Sequence, residues 1–191
     1  MKVTRLAIED VLLIELVVRE DNRGFFVERF QVERFRELGL PTTFVQDNQN
    51  RNRPGVLRGL HYQHTPPQGK LVGVTHGRIW DVAVDVRTDS PTFGQMVGAE
   101  LSDRNGCLLW IPPGFAHGFC VLGNQPADVL YKVDAPYGPG GEGGIAWDDP
   151  DLAVSWPITD PIVSDRDRTM QSFAAYKANP PRWPSAAPVP R

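Results

Sequence analysis

The sequence predicts an all-β domain, a sandwich, jelly roll or barrel with a few short peripheral helices. Three observations carry that reading. The apolar runs are short, turn-forming residues separate them, and one run alternates with a period of two. Glycine and proline, 18 of each in 191 residues, supply much of the punctuation.

The runs that read as strands are Val11–Val18, Phe25–Phe30, Val56–Gln63, Lys70–Thr75, Ile79–Val86, Gln95–Leu101, Cys107–Ile111, Phe115–Leu122 and Val129–Val133. Between them lie Asp21-Asn22, Pro54-Gly55, His76-Gly77, Asp89-Ser90-Pro91, Asn105-Gly106, Pro112-Pro113-Gly114 and Gly123-Asn124, all common turn chemistry. Within Arg78–Arg87, Trp80, Val82, Val84 and Val86 share one face, and Asp81, Ala83 and Asp85 the other. This predicts a strand with one buried face. A helix is expected at Gln31–Leu38, stopped by Gly39 and Pro41, and another near Arg168–Ala178. No repeat or linker interrupts the chain, so residues 1–178 are expected to form a single domain. The Pro-rich tail, 179–191, reads as a loosely held end.

Composition narrows the function classes. A net charge of -3 lacks the basic excess of a nucleic-acid binder. The apolar run starting at Val11 is far short of a membrane span and carries Glu15. The segment Met1–Asp10 has no signal-peptide pattern, so a cytoplasmic location is expected. Cys107 and Cys120 sit in apolar runs and read as buried free thiols rather than a disulfide. No His-x-His pair exists, and His61 and His64, three apart in a strand, point to opposite faces. Neither metal nor cofactor is expected.

Few residues stand out as chemical. His61 and Arg58 share an otherwise apolar strand, where a charged group is rare unless paired or lining a site. Alternation puts them on opposite faces, and they can line one cavity only if the strand twists or bulges, which Gly59 permits. His117 follows the Pro112-Pro113-Gly114 turn on the face of Phe115 and Phe119, where structural and functional roles are balanced. Tyr131 alternates with Val129 and Val133 as a core residue would, and Lys70 opens a strand as a solvated edge residue would.

Longer motifs add to these single residues. They are Asp21-Asn22-Arg23-Gly24-Phe25-Phe26-Val27-Glu28, Gln46-Asp47-Asn48, Gly55 to Tyr62, Gln68-Gly69-Lys70, Asp81 to Asp85, Ser90 to Gly94, Ile111 to Phe119, Tyr131-Lys132 and Gly144 to Pro150. In order and spacing they resemble the dTDP-4-dehydrorhamnose 3,5-epimerase family from about Arg5 to Asp167. The resemblance implies a cupin-type jelly roll, a homodimer and metal-independent chemistry on a dTDP-4-keto-6-deoxy sugar. It implies that His61 is the base, oriented by Asp167, that Tyr131 is the acid, and that Lys70 partners the C4 oxygen. It also implies that Arg23, Phe26, Glu28, Gln46, Asn48, Arg58, His117, Tyr137, Glu142 and Arg166 hold the nucleotide sugar, some of them across the dimer. Arg166 stands where the family often has Lys, Asp165 is a rival carboxylate to Asp167, and the stretch Val133 to Glu142 is richer in Gly and Pro than the family pattern.

These residue types suit the reaction. A C4 ketone acidifies the protons on C3 and C5, because their removal gives an enolate. Inversion needs a base on one face and an acid on the other. An imidazole, with an ordinary pKa of about 6.5, suits the first task. A cation at the enolate oxygen helps where charge develops. Arg58 and Arg23 suit a diphosphate. The implied reaction converts dTDP-4-dehydro-6-deoxy-D-glucose to dTDP-4-dehydro-L-rhamnose for dTDP-L-rhamnose synthesis. Other readings are a mono-epimerase acting at C3 or C5, a sugar-nucleotide 3,4-ketoisomerase, and a non-catalytic sugar-binding cupin.

Overall fold

A computed structural model describes residues 1–183. The chain runs β1 (Lys2–Arg5), β2 (Leu12–Glu15), β3 (Val18–Asp21), β4 (Gly24–Val27), α1 (Val32–Glu37), β5 (Gln46–Asn52), β6 (Leu57–Gln63) and β7 (Lys70–His76). It continues with β8 (Arg78–Asp85), β9 (Met96–Ser102), β10 (Cys107–Ile111), β11 (Phe115–Val121), β12 (Ala127–Val133), β13 (Glu142–Gly144), α2 (Asp165–Arg168) and α3 (Phe173–Ala178). Six strands form one antiparallel sheet, β1-β2-β10-β7-β12-β5, and five form another, β13-β6-β11-β8-β9. The hairpin β3–β4 stands outside both.

The two sheets face each other over one core. Val72, Val74, Leu109, Ile111 and Val129 from the first meet Ile79, Ala83, Leu101, Phe115, Phe119 and Val121 from the second. Burying each Val, Leu or Ile side chain stabilises the fold by about 1.5–3 kcal/mol, which makes this the dominant favourable contribution. Behind the five-stranded sheet, Leu60, Tyr62, Val82 and Val84 are covered by Ile145, Leu152, Phe173 and Tyr176. Behind the six-stranded sheet, Leu12, Ile14 and Leu108 are covered by Phe35 of α1 and by Leu40. Core and both outer layers together make the all-β sandwich expected.

Several elements differ from the sequence reading for physical reasons. β8 is buried on both faces, not one, because the C-terminal segment covers the side opposite the inter-sheet core. Asp81 and Asp85 are therefore both fully buried. Asp85 is held by Arg87, Ser90 and Thr92, at 2.7, 2.5 and 2.6 Å from its Oδ2. β5 escapes a hydrophobicity pattern because Gln46–Asn52 contains no apolar residue. The run Val11–Val18 splits: Leu12–Glu15 joins the sheet, Val17 is exposed, and Val18 opens the hairpin. The helix Gln31–Leu38 is observed as α1, with the Gln31 side chain capping Arg34 N and Gly39 following at φ 67°. The helix expected near Arg168–Ala178 is observed as α3, with the single turn α2 ending at Arg168 ahead of it, and each is started by a serine cap. Of the tail, residues 184–191 lie outside the described residues, while Trp183 donates to the Tyr176 hydroxyl at 2.9 Å. Cys107 and Cys120 are free and buried. Among the described residues no helix is long and apolar enough to cross a membrane.

Candidate active site

Strand β6 sets the site through one irregularity. Its pairing with β11 matches His61 to His117 but Arg58 to Phe119, so an extra residue bulges at Gly59. Gly59 has φ +123°, and a Cβ there would come within 2.5 Å of Gly118 Cα and 2.8 Å of His117 O. Two glycines thus let the strands approach closely. The bulge resets alternation. Leu57 and Leu60 both pack behind the sheet, and Arg58 and His61 both face inward.

His61 Nε2 lies 2.7 Å from Asp167 Oδ1. Asp167 is the first buried residue of α2, whose cap, Ser164, accepts from Asp167 N at 3.1 Å. Gly59 N donates to the other carboxylate oxygen at 3.3 Å. Burial works to raise the Asp167 carboxyl, but His61, the Gly59 N–H and Ser164 outweigh it and hold it below its ordinary range. Asp165, the rival, makes no contact with His61. With Nε2 engaged, Nδ1 is the ring nitrogen left to accept a proton, and the carboxylate stabilises the cation formed. The imidazole is about a quarter exposed, at 26%.

The facing sheet supplies the other wall. Tyr131 on β12 packs against the inter-sheet core, paired in register with Asn48 of β5. Burial pushes its hydroxyl pKa up, partly offset by Arg58, so it is protonated at neutral pH. Lys70, at the start of β7, is brought down to about 8 by burial, against the opposing pull of Asp81 and Glu142. On the His61 sheet itself, His117 Nε2 donates to Asp81 Oδ1, 2.5 Å away, and burial keeps its pKa low despite that carboxylate.

The polar strand β5 lines the site with amides at every second residue. Gln46 Nε2 donates to Asn48 at 2.9 Å, Asn52 Nδ2 donates to Asn50, and Asn52 Oδ1 accepts from Arg58 Nε at 2.7 Å. The outer nitrogens of Arg58 make no hydrogen bond or ion pair among the described residues. Near the other end, Glu142 accepts from Arg166 at 2.8 Å and from the Tyr137 hydroxyl at 2.9 Å. Those two bonds outweigh burial and lower its carboxyl pKa. Gln63 pins the Tyr137 loop by donating to Pro136 O and accepting from Gly138 N.

Three predicted residues are elsewhere. Arg23 pairs with Asp21 on the β3–β4 hairpin, Phe26 of the same hairpin is 69% exposed, and Glu28 pairs with Arg34 of α1. None of them contacts the cavity within this chain. Among the described residues no cluster of three or more His, Cys, Asp or Glu is arranged to hold a metal.

Residues 5–175 match the family described as dTDP-4-dehydrorhamnose 3,5-epimerase. The chain is 52% identical over 176 residues to the Pseudomonas aeruginosa protein of that name, covering 91% of this chain and 97% of that one. The chain belongs to the dTDP-4-dehydrorhamnose 3,5-epimerase family. A solved structure of a 3,5-epimerase from Legionella pneumophila, in complex with dTDP-4-keto-L-rhamnose, superposes with a TM-score of 0.90 at 44% identity, covering 97% of this chain and 99% of that one. A Streptomyces niveus relative, 37% identical over 88% of this chain and 82% of its own, is named dTDP-4-dehydrorhamnose 3-epimerase.

Within this epimerase site, sequence reasoning missed Asp81, Asn50 and Asn52. Asp81 had a signal: a carboxylate inside the apolar stretch Ile79 to Val86 must find a partner or a task if the strand is central. The asparagines had a weaker one, the every-second-residue amide pattern from Gln46 to Asn52.

Proposed function

We propose that the protein epimerises dTDP-4-dehydro-6-deoxy-D-glucose at C3 and C5 to give dTDP-4-dehydro-L-rhamnose, a step of dTDP-L-rhamnose synthesis. One observation carries the reading. A carboxylate-bound imidazole stands on one sheet, a protonated tyrosine stands on the facing sheet, and a part-buried ammonium stands on the tyrosine's sheet. His61 Nδ1 takes the proton from carbon, and the C–H electron pair moves into the ring as the C4 carbonyl becomes an enolate. Lys70 offsets the charge on that oxygen. Tyr131 delivers its proton to the opposite face of the same carbon, and solvent restores both groups. Each acid or base contributes about 10²–10⁴-fold. Arg58, with the β5 amides, serves the diphosphate, and Tyr137 with Glu142 and Arg166 closes the nucleotide end. Buried free thiols at Cys107 and Cys120 suit a reducing, cytoplasmic compartment.

The site within one chain lacks Arg23, Phe26 and Glu28, so we infer a homodimer in which the β3–β4 hairpin of one copy reaches the substrate of the other. The exposure of Phe25 and Phe26, at 48% and 69%, supports that reading.

The test is substrate in deuterium oxide, followed by NMR with a 4-ketoreductase trapping product. Deuterium at both carbons and trapped dTDP-rhamnose are expected. Label and inversion at one carbon only would make it a mono-epimerase, as the name of the Streptomyces niveus relative raises. A shifted carbonyl would indicate a ketoisomerase, and no label at all a binding protein.

A further inference from the structure

Asp81 is a buried carboxylate used on one side only. It is 0% exposed in the middle of β8, between Trp80 and Val82. Oδ1 meets His117, but Oδ2 is buried with no hydrogen-bond partner among the described residues. An unpartnered buried carboxylate oxygen is costly and calls for a reason.

The reason lies across the cavity. Lys70 is the part-buried cation of the facing sheet: alternation along β7 and β8 turns it and Asp81 into the space between the sheets, as it does Val72, Ile79 and Ala83, and it makes neither a hydrogen bond nor an ion pair with the described residues. The charged and titratable groups acting on it are Asp81 from β8, Glu142 from β13 and His117 from β11. His61 of β6 acts in turn on His117 and Glu142, and Asp134 caps the backbone at Gly69 beside Lys70. Glu142 is already committed to Arg166 and Tyr137. Asp81 is the carboxylate left to balance Lys70, and it acts at a distance, without taking up the ammonium protons.

We propose that Asp81 is a positioning residue for the epimerisation, the detached counter-charge that keeps Lys70 an ammonium while leaving its N–H donors free for the C4 oxygen of the substrate. With its other oxygen it fixes the His117 ring on the same wall. A direct Asp–Lys ion pair would hold the charge equally well but would compete with the enolate for it. This rests on the epimerase reading above.

The experiment is the pH profile of turnover for wild type and Asp81→Asn, each protein first checked for folding by circular dichroism. Wild type should lose activity on an alkaline limb near 8, the value at which Lys70 gives up its proton. Removing the charge should move that limb to lower pH by about one unit or more, with activity partly regained on the acid side. Asp81→Glu, which keeps the charge, should leave the limb close to its wild-type position. A uniform loss at every pH with an unmoved limb would reduce Asp81 to a structural support and overturn the proposal. So would equal shifts in Asp81→Glu and Asp81→Asn. If Asp81→Asn does not fold, NMR titration of the Lys70 side chain in wild type and in Asp81→Ser decides: a lower Lys70 midpoint without the carboxylate supports the proposal, and an unmoved midpoint overturns it. Deuterium exchange by wild type separates the two readings, because an active wild type with an unmoved limb sinks only the role of Asp81.

Discussion

At the scale of the residue, the site is a division of labour between groups whose surroundings set their protonation. Asp167 fixes the His61 ring through Nε2 and leaves Nδ1 as the acceptor, while burial keeps the Tyr131 hydroxyl protonated. These two groups should therefore fail differently. His61→Ala is expected to lose both turnover and deuterium exchange, by about 10²–10⁴-fold, since nothing else on that wall removes the carbon proton. Tyr131→Phe should lose net inversion far more than exchange, because deprotonation survives and delivery to the opposite face does not. Exchange and single-turnover inversion, measured side by side, check both. A Tyr131→Phe enzyme losing exchange and inversion in equal proportion would move the deprotonating role toward the tyrosine. The roles proposed for His61, Tyr131, Lys70 and Asp167 come from the family motifs and not from the residues taken singly. Taken singly, Tyr131 reads as core and Lys70 as a solvated edge. Asp167 was preferred to its rival Asp165 through the resemblance alone, because the choice depends on which side of a single helical turn faces β6.

At the scale of the element, the bulge at Gly59 decides whether there is a site. Strict alternation sends Arg58 and His61 to opposite faces, and pattern reasoning could state the condition for uniting them without showing that it was met. The deciding fact is tertiary: Gly59 and Gly118 touch across two strands, leaving no room for a side chain. Gly59→Ala should destabilise the protein by about 2–5 kcal/mol, combining an unfavourable backbone with a clash against main-chain atoms. It should also lower turnover beyond what stability explains, since straightening β6 parts Arg58 from His61. Urea unfolding together with kcat/KM on the folded fraction measures both. Normal stability and turnover in that variant would mean that the bulge is not what holds the two residues together. Strand β5 failed to register for a related reason. Hydrophobic periodicity detects strands that pack on a core, and β5 is an edge strand whose side chains are all polar. The misreading of β8 as buried on one face only has the same root, because the segment covering its other face comes from Ile145 to Tyr176, far along the chain.

At the scale of the whole molecule, the sandwich was legible because nearly every core strand is short, apolar and bounded by Gly or Pro. What lay beyond reach is the proposed sharing of a site between copies of the chain. Arg23, Phe26 and Glu28 carry family motifs yet stand on or beside a hairpin that belongs to neither sheet. In a two-fold dimer each hairpin would serve the other copy, so a base and a hairpin acting on one substrate come from different chains. Complementation tests this more sharply than a mass measurement. A variant with a disabled hairpin (Arg23→Glu with Phe26→Asp) and a variant without its base (His61→Ala) should each be nearly inactive. Unfolded and refolded together in equal amounts, they form mixed dimers in half of the cases. One of the two sites in each mixed dimer then has an intact base and an intact hairpin, so about a quarter of wild-type activity should return. If the hairpin served its own chain, every site in the mixture would keep one defect and no activity would return.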